Sequence, residues 1–219
     1  RIPFQIMNGA KEGPVLCVES TLHGWEPVGA EIIRRALLQV DAENLAGTVL
    51  SLPLAHPFTV EFGGNIEGAG LRTNPSDNLN LNRAFPGKLN DGGFPAPNGW
   101  LTEQIAYHLW NEVVKQADYL LDFHDGVSCD ELPVAFPQAY PDGEQGCRSN
   151  LSEEVKELAK AFGSEVIWWR GGRSLNTSMI SGSVAANGGV PLVVEAGGGD
   201  RIDETVDQAA DCVLNVMKY

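Results

Sequence analysis

The sequence predicts an α/β protein with a mostly parallel, twisted central sheet and helices on both faces. Short apolar runs of strand type alternate along the chain with segments whose apolar residues recur at helical spacing. Strands that alternate with helices are joined by crossover connections, which make neighbouring strands parallel and cover both faces of the sheet. At 219 residues and 43% hydrophobic, the chain is long enough to bury a core, and its length favours one domain.

The individual elements follow from these two patterns. The predicted strands are apolar runs bounded by turn residues, at 13–22, 47–55, 117–124, 165–169 and 190–196. The predicted helices are amphipathic segments, from Pro27 to about Val40, over 100–116, over 151–162, and from 203 to the last residue. Pro27 suits the first helical position, and Asn150 with Glu153 is a predicted capping pair for the third helix.

Residues 56–99 break the alternation of strands and helices. This stretch is dense in Gly, Asn and Pro, and loops of such length inside compact domains are usually functional or disordered. In parallel α/β sheets, ligands bind beyond the carboxyl ends of the strands. The candidate functional residues are therefore those at the strand ends and in this long loop.

Composition excludes several classes of function. The net charge of −14 and the pI near 4.6 disfavour binding to nucleic acid or an anionic membrane, both of which need clustered Lys and Arg. No apolar run reaches membrane-spanning length, so a soluble protein is expected, and association into a homo-oligomer is left open. A cytoplasmic location is expected if the cysteines are reduced. The scattered Cys17, Cys129, Cys147 and Cys212 indicate reduced thiols, with a Cys129–Cys147 bridge as the alternative.

Four metal-binding or acid–base side chains fall at predicted strand ends. His23 follows the first strand and Glu26 precedes Pro27, so the two can converge, although the pair alone also fits an N-cap carboxylate beside a turn histidine. His124 ends the run YLLDFH, and Glu195 ends VPLVVE, where a carboxylate is costly without a partner or task. Two His and one Glu are a ligand set of catalytic zinc, with a fourth position open for water. The alternative is four unrelated residues at the rim.

Four short motifs resemble those of a known family. HGWE (23–26), NLNRAFPG (80–87), DFHDG (122–126) and VVEAGGG (193–199) are similar, in order and approximate spacing, to the succinylglutamate desuccinylase/aspartoacylase family, a branch of the zinc-carboxypeptidase-like hydrolases. The resemblance extends over nearly the whole chain. It implies a zinc carboxypeptidase-like fold in which His23, Glu26 and His124 bind one Zn²⁺ per chain and Glu195 is the general base.

The resemblance also assigns the long loop to the substrate. It implies that Asn82 and Arg83 hold a substrate carboxylate and that Arg72 faces the developing oxyanion. Asp125 departs from the family pattern, which has a small polar residue there, and is expected to alter the preference of the pocket. Independently of the family, Asp122 lies two residues before His124 and can orient it, with a simple salt-bridge or cap role as the alternative.

The predicted function is a zinc-dependent amide hydrolase that deacylates a small, anionic N-acylated amino acid or a related compound. A metallocarboxypeptidase or peptide amidase with the same site is the nearest alternative, and a non-catalytic metal-binding relative is a third. The chain lacks the G-x-S-x-G motif of serine hydrolases and the Ser or Thr that completes a P-loop. We expect residues 1–219 to form a single catalytic α/β domain, without the further β-rich domain that similar proteins carry.

Overall fold

In the computed structural model, seven strands form one sheet. The model describes residues 1–63, 72–90, 99–125, 130–138, 140, 143, 146–171, 175–198 and 202–219. In chain order the strands within these ranges are β1 (Gln5–Asn8), β2 (Lys11–Ser20), β3 (Ala46–Leu52), β4 (Tyr119–His124), β5 (Asp130–Phe136), β6 (Val166–Ile167) and β7 (Val190–Gly197). The sheet order is β1-β3-β2-β4-β7-β5-β6. β1 with β3 and β5 with β7 are antiparallel and the other neighbours are parallel, which confirms a mostly parallel sheet.

Helices cover both faces of this sheet. Those within the described ranges are α1 (Val28–Leu37), α2 (Pro57–Gly63), α3 (Leu101–Glu112), α4 (Leu151–Phe162), α5 (Ile180–Ala186) and α6 (Glu204–Lys218), with short 3-10 helices at Leu81–Arg83 and Val114–Gln116. Helices α1, α4 and α6 pack on one face, and α3 and α5 pack on the other. Among the described residues, no helix is both long enough and apolar enough to cross a bilayer.

Strand alternation assigns the central side chains to one face or the other. Val18 and Leu121 belong to the core under α1, α4 and α6, while their neighbours Cys17 and Leu120 belong to the core under α3 and α5. Cys17, Cys147 and Cys212 are free thiols, so the alternative of a Cys129–Cys147 bridge is not realised. Cys129 itself lies outside the described residues.

The order of the strands creates a crevice. From β2 the chain passes through α1 to β3 on one side, whereas β4 lies on the other side of β2. The chain therefore leaves the carboxyl ends of β2 and β4 in opposite directions, which opens a crevice between these two strands. Open α/β sheets bind ligands at such a switch point. His23 follows β2 and His124 ends β4, so both candidate ligands lie beside this crevice.

Several local predictions were wrong. Pro27 is the N-cap of α1 instead of its first helical residue. Asn150 is left-handed, with φ of 65°, and its side chain makes no capping hydrogen bond, because a capping side chain needs an extended backbone at that position. The strand predicted at 165–169 is reduced to Val166–Ile167. The strands β1 and β5 and the helices α2 and α5 were not predicted.

Candidate metal centre and active site

A tight turn between β2 and α1 brings His23 and Glu26 together. Thr21 adopts φ of 63°, which redirects the chain as it leaves the sheet. Gly24 then passes so close to Thr59 that a Cβ on it would lie 2.4 Å from the Thr59 carbonyl atoms, so only glycine fits there. The backbone N–H of Glu26 donates to the His23 carbonyl at 3.1 Å and closes the turn.

The three predicted metal ligands converge. Nδ1 of His23 lies 2.9 Å from both carboxylate oxygens of Glu26, and Nδ1 of His124 lies 2.6 Å from Oε2 of Glu26. One donor atom from each of the three residues lies within 4.8 Å of the others, and all three side chains are buried. Three lone-pair donors facing one another at this separation are a site that a metal ion could bridge.

The outer nitrogens of both imidazoles face oxygen atoms. Nε2 of His23 lies 3.2 Å from Oδ1 of Asn80, and Nε2 of His124 lies 3.0 Å from Oδ1 of Asp122. With a metal bound, a proton on each Nε2 would leave each Nδ1 lone pair free for the metal, which is the tautomer that a metal ligand requires. The indole N–H of Trp25 donates to Oε1 of Glu26 at 2.9 Å and further fixes the carboxylate. The donor set therefore fits a divalent metal.

The electrostatics of the cluster favour a cation at its centre. Burial alone would raise the pKa of Glu26, but hydrogen bonds from His124 and His23 outweigh it and lower that pKa to about 2. Burial likewise disfavours a charged His124, yet the neighbouring Asp122 and Glu26 carboxylates raise its pKa well above the usual 6.5. The imidazole of His124 therefore binds a proton readily between the carboxylates of Asp122 and Glu26. A metal cation at the centre of the cluster would take the place of that proton.

Glu195 lies next to the ligand cluster. In the register of β4 and β7 it is the direct partner of His124, and paired residues on adjacent strands project from the same face of the sheet. Its side chain is half-buried, while Asp125, which follows His124, is almost fully buried. The predicted general base therefore stands beside the predicted metal ligands at the rim of the crevice.

The loop residues predicted to bind substrate occupy different environments. Asn82 is only 1% exposed; its Oδ1 accepts a hydrogen bond from the Ile180 N–H at 3.0 Å, and its Nδ2 lies 3.2 Å from Nε2 of His124. Arg72 and Arg83 are exposed. Although Arg83 is exposed overall, desolvation of its guanidinium group and the positive charge of Arg72 lower its pKa, so the two charges interact. The substrate roles of all three residues stay predictions.

Sequence reasoning missed the contact of Asn80 with His23. Asn80 opens the NLNRAFPG motif, and its Oδ1 also accepts a hydrogen bond from the Asn82 N–H at 2.8 Å, as the N-cap of the 3-10 helix Leu81–Arg83. The capping role could have been read from an Asn before a short helical turn. Its contact with an imidazole 57 residues earlier in the chain could not, because that contact depends on how the loop folds over the sheet.

Comparison with known proteins identifies the family. The sequence model of the succinylglutamate desuccinylase/aspartoacylase catalytic domain matches residues 12–219. The chain belongs to this family. A curated member of similar sequence is the N-alpha-acetyl-L-2,4-diaminobutyric acid deacetylase of Halomonas elongata, 32% identical over 164 residues, which cover 74% of this chain and 42% of that protein.

Solved structures of several proteins have the same fold as this chain. The product-bound ectoine utilization protein EutE (DoeB) of Ruegeria pomeroyi matches with a TM-score of 0.77 and 25% identity, over 99% of this chain and 60% of that one. A succinylglutamate desuccinylase/aspartoacylase of Rhodobacter sphaeroides matches with a TM-score of 0.76 and 25% identity, over 99% and 58%. Carboxypeptidase A of Helicoverpa armigera, 14% identical over 99% and 63%, shares the fold with a TM-score of 0.63. The chain spans less than two thirds of the length of these relatives.

Proposed function

We propose that the protein is a zinc-dependent amide hydrolase that removes the acyl group from a small, anionic N-acylated amino acid. The observation that carries the proposal is the placement of Glu195 beside His124 in adjacent strands, next to the convergent donors of His23, Glu26 and His124. A carboxylate beside a three-ligand metal site is the arrangement that metal-assisted hydrolysis requires. The deacetylase name of the Halomonas elongata relative supports an N-acyl substrate.

The metal would be held by Nδ1 of His23, Nδ1 of His124 and the Glu26 carboxylate. The chemistry that zinc would supply there is a lowered pKa for a water and polarisation of the scissile carbonyl. Asn80 and Asp122 would orient the two imidazoles, since an oxygen of each lies within 3.2 Å of an outer ring nitrogen, at 3.2 Å for His23 and 3.0 Å for His124. The cluster is buried, which limits bulk water around the ligands and strengthens the electrostatic interactions within the site.

Glu195 would accept a proton from the attacking water and pass it to the leaving amine. General-base assistance of this kind contributes about 10²-fold or more to turnover. Arg83 would bind the substrate carboxylate, and Arg72 would stabilise the negative charge that develops on the carbonyl oxygen. Two neighbouring guanidinium groups in a chain of net charge −14 create a local positive region, which suits a small anionic substrate.

A deacylation screen tests the proposal. The zinc-loaded protein is assayed with N-acetyl and N-succinyl amino acids and, in parallel, with short peptides. Hydrolysis of the acylated amino acids is expected, whereas preference for peptides would indicate a metallopeptidase instead. Glu195→Gln should retain the fold and the bound metal but lose about 10²-fold or more of turnover, and normal activity of that variant would exclude Glu195 as the base.

A further inference from the structure

A second buried carboxyl group lies behind the metal ligands. Glu19 on β2 is the direct register partner of Asp122 on β4, so the two side chains project from the same face of neighbouring strands. Both residues are 0% exposed. The structure therefore holds two adjacent carboxyl groups with no access to water, and one of them contacts the ligand His124.

These two carboxyl groups lack conventional donors. Within the described part of the chain, no N–H or O–H group is placed to donate a hydrogen bond to either carboxyl oxygen of Glu19. The same is true of both carboxyl oxygens of Asp122. The imidazole of His124 lies next to the pair, with its Nε2 3.0 Å from Oδ1 of Asp122. Two ionised carboxylates side by side in such a place would repel each other strongly and lose their hydration.

A proton between the two groups removes this conflict. Asp122 faces the imidazole of His124, so the negative charge is best compensated on Asp122, and the proton belongs on Glu19. Burial and the nearby Asp122 charge both raise the pKa of Glu19 well above its usual 4.5, in agreement with this assignment. A neutral carboxylic acid can donate a hydrogen bond, which an ionised one cannot.

We propose that Glu19, as a neutral carboxylic acid, donates a hydrogen bond to Asp122 and is thereby a positioning residue for the metal ligand His124. The chain of contacts runs from Glu19 through Asp122 to Nε2 of His124, and its far end is Nδ1 beside Glu26. One carboxylate oxygen of Asp122, Oδ1, faces His124. The hydrogen bond from Glu19 restrains the rotation of the Asp122 carboxylate and partly neutralises its charge, which fixes the oxygen that faces the imidazole. The inference rests on the metal site of the proposed function.

Zinc affinity measured by chelator competition tests the positioning role. Glu19→Gln keeps a neutral donor of nearly the same shape and should bind zinc within a few-fold of the wild type. Glu19→Leu removes the donor and should weaken zinc binding by about tenfold, the lower end of the effect of losing an outer-sphere partner. Glu12→Gln, on the exposed start of the same strand, is the matched control and should leave the affinity unchanged.

A double-mutant cycle separates positioning from general destabilisation. If Glu19 acts through Asp122, then Glu19→Leu should have little further effect on zinc affinity in an Asp122→Asn background. Unchanged affinity in Glu19→Leu, or equal losses in Glu19→Gln and Glu19→Leu, overturns the proposal. Full additivity with Asp122→Asn also overturns it, because the two residues would then act separately.

Infrared spectroscopy tests the shared proton directly, even if the Leu variant does not fold. The metal-free wild type at neutral pH should show the C=O stretch of a protonated carboxylic acid, and Glu19→Gln should lack it. A missing band in the wild type, or one that persists in Glu19→Gln, overturns the proposal. A wild type that binds no zinc overturns the proposed function and the metal-positioning role together, whereas the infrared result by itself decides the Glu19–Asp122 bond.

Discussion

Acidification should destabilise the protein through His56, a histidine buried just before α2. The residue is 0% exposed, and neither ring nitrogen has a hydrogen-bond partner within the described residues. Burial lowers its pKa from the usual 6.5 to about 4, and the nearby Leu22 carbonyl and Asp77 charge offset only part of that effect. His56 is therefore neutral in the native state at a pH where the same residue in the unfolded chain is protonated.

The sign and the size of the effect follow from this difference. Between pH 6.5 and about 4 the unfolded chain binds a proton that the native protein does not, so the free energy of unfolding falls as the pH falls. Above pH 6.5 neither state is protonated, and this destabilisation is absent. At about 1.4 kcal/mol for each pKa unit, the loss is roughly 2 kcal/mol at pH 5 and about 3 kcal/mol over the whole interval.

The assay is urea unfolding followed by tryptophan fluorescence at pH 7 and pH 5, for the wild type and for His56→Leu. Both chains carry the same metal ligands, so most of the titration of those groups cancels in the difference between the two proteins; the charge of His23, which lowers the pKa of His56, acts in the same direction as burial. Between pH 7 and pH 5, the free energy of unfolding of the wild type should fall by about 2 kcal/mol more than that of the variant. His108→Gln, on the exposed face of α3, is the control and should show the wild-type pH dependence. If the free energy of unfolding falls by the same amount in the wild type and in His56→Leu, the assignment of His56 as a buried neutral group is refuted.

Other substitutions test the metal ligands, the anion site and the buried cysteine. Replacing His23 or His124 by Ala should abolish stoichiometric zinc in elemental analysis, whereas His108→Ala should retain it; equal losses would mean that the ligands are misassigned. Arg83→Ala should raise KM for substrates that carry a carboxylate, and an unchanged KM would place the anion site elsewhere. Cys17, whose pKa is raised by burial to about 12, should resist alkylation in the native protein at neutral pH and react after unfolding, as read by mass spectrometry.

The elements that the sequence predicted well are those with strong, regular patterning. β2, β4 and β7 are long apolar runs at the centre of the sheet, and α1 and α6 bury one face each, so periodicity alone locates them. His124 and Glu195 lie on β4 and β7, and His23 and Glu26 lie in the turn between β2 and α1. The convergence of the metal ligands was predictable because the carboxyl ends of neighbouring parallel strands meet at one edge.

The missed elements lack such patterns. β1 is exposed along most of its four residues, and α5 is buried all round, so neither shows an amphipathic period. β5 contains Pro133, which argues against a strand in the interior of a sheet. In the structure Pro133 falls where the pairing with β7 shifts register, between Asp130 and Val134, so no ladder hydrogen bond is required of it there.

The supporting residues of the site were hidden for a different reason. In the sequence, Glu19 is a polar residue near the end of an apolar run, and nothing local indicates its partner. Only the register of β2 against β4 shows that Glu19 pairs with Asp122. Register between strands that lie about a hundred residues apart is a tertiary property, which local periodicity does not contain. The sequence therefore predicted the candidate ligands, whose residue types are distinctive, and Asp122, which lies two residues before His124, but not Glu19 or Asn80, whose contacts depend on tertiary structure.

Asn80 offers a test of that distinction, because one side chain has two separable roles. Its Oδ1 caps the 3-10 helix through the Asn82 N–H and also faces Nε2 of His23. Asn80→Ser keeps a capping oxygen but is too short to reach the imidazole, whereas Asn80→Asp keeps both contacts. If the imidazole contact orients the ligand, Asn80→Ser should weaken zinc binding by about 10- to 100-fold in chelator competition while Asn80→Asp binds at least as well as the wild type. Wild-type affinity in Asn80→Ser would limit Asn80 to capping and leave His23 oriented by Glu26 alone.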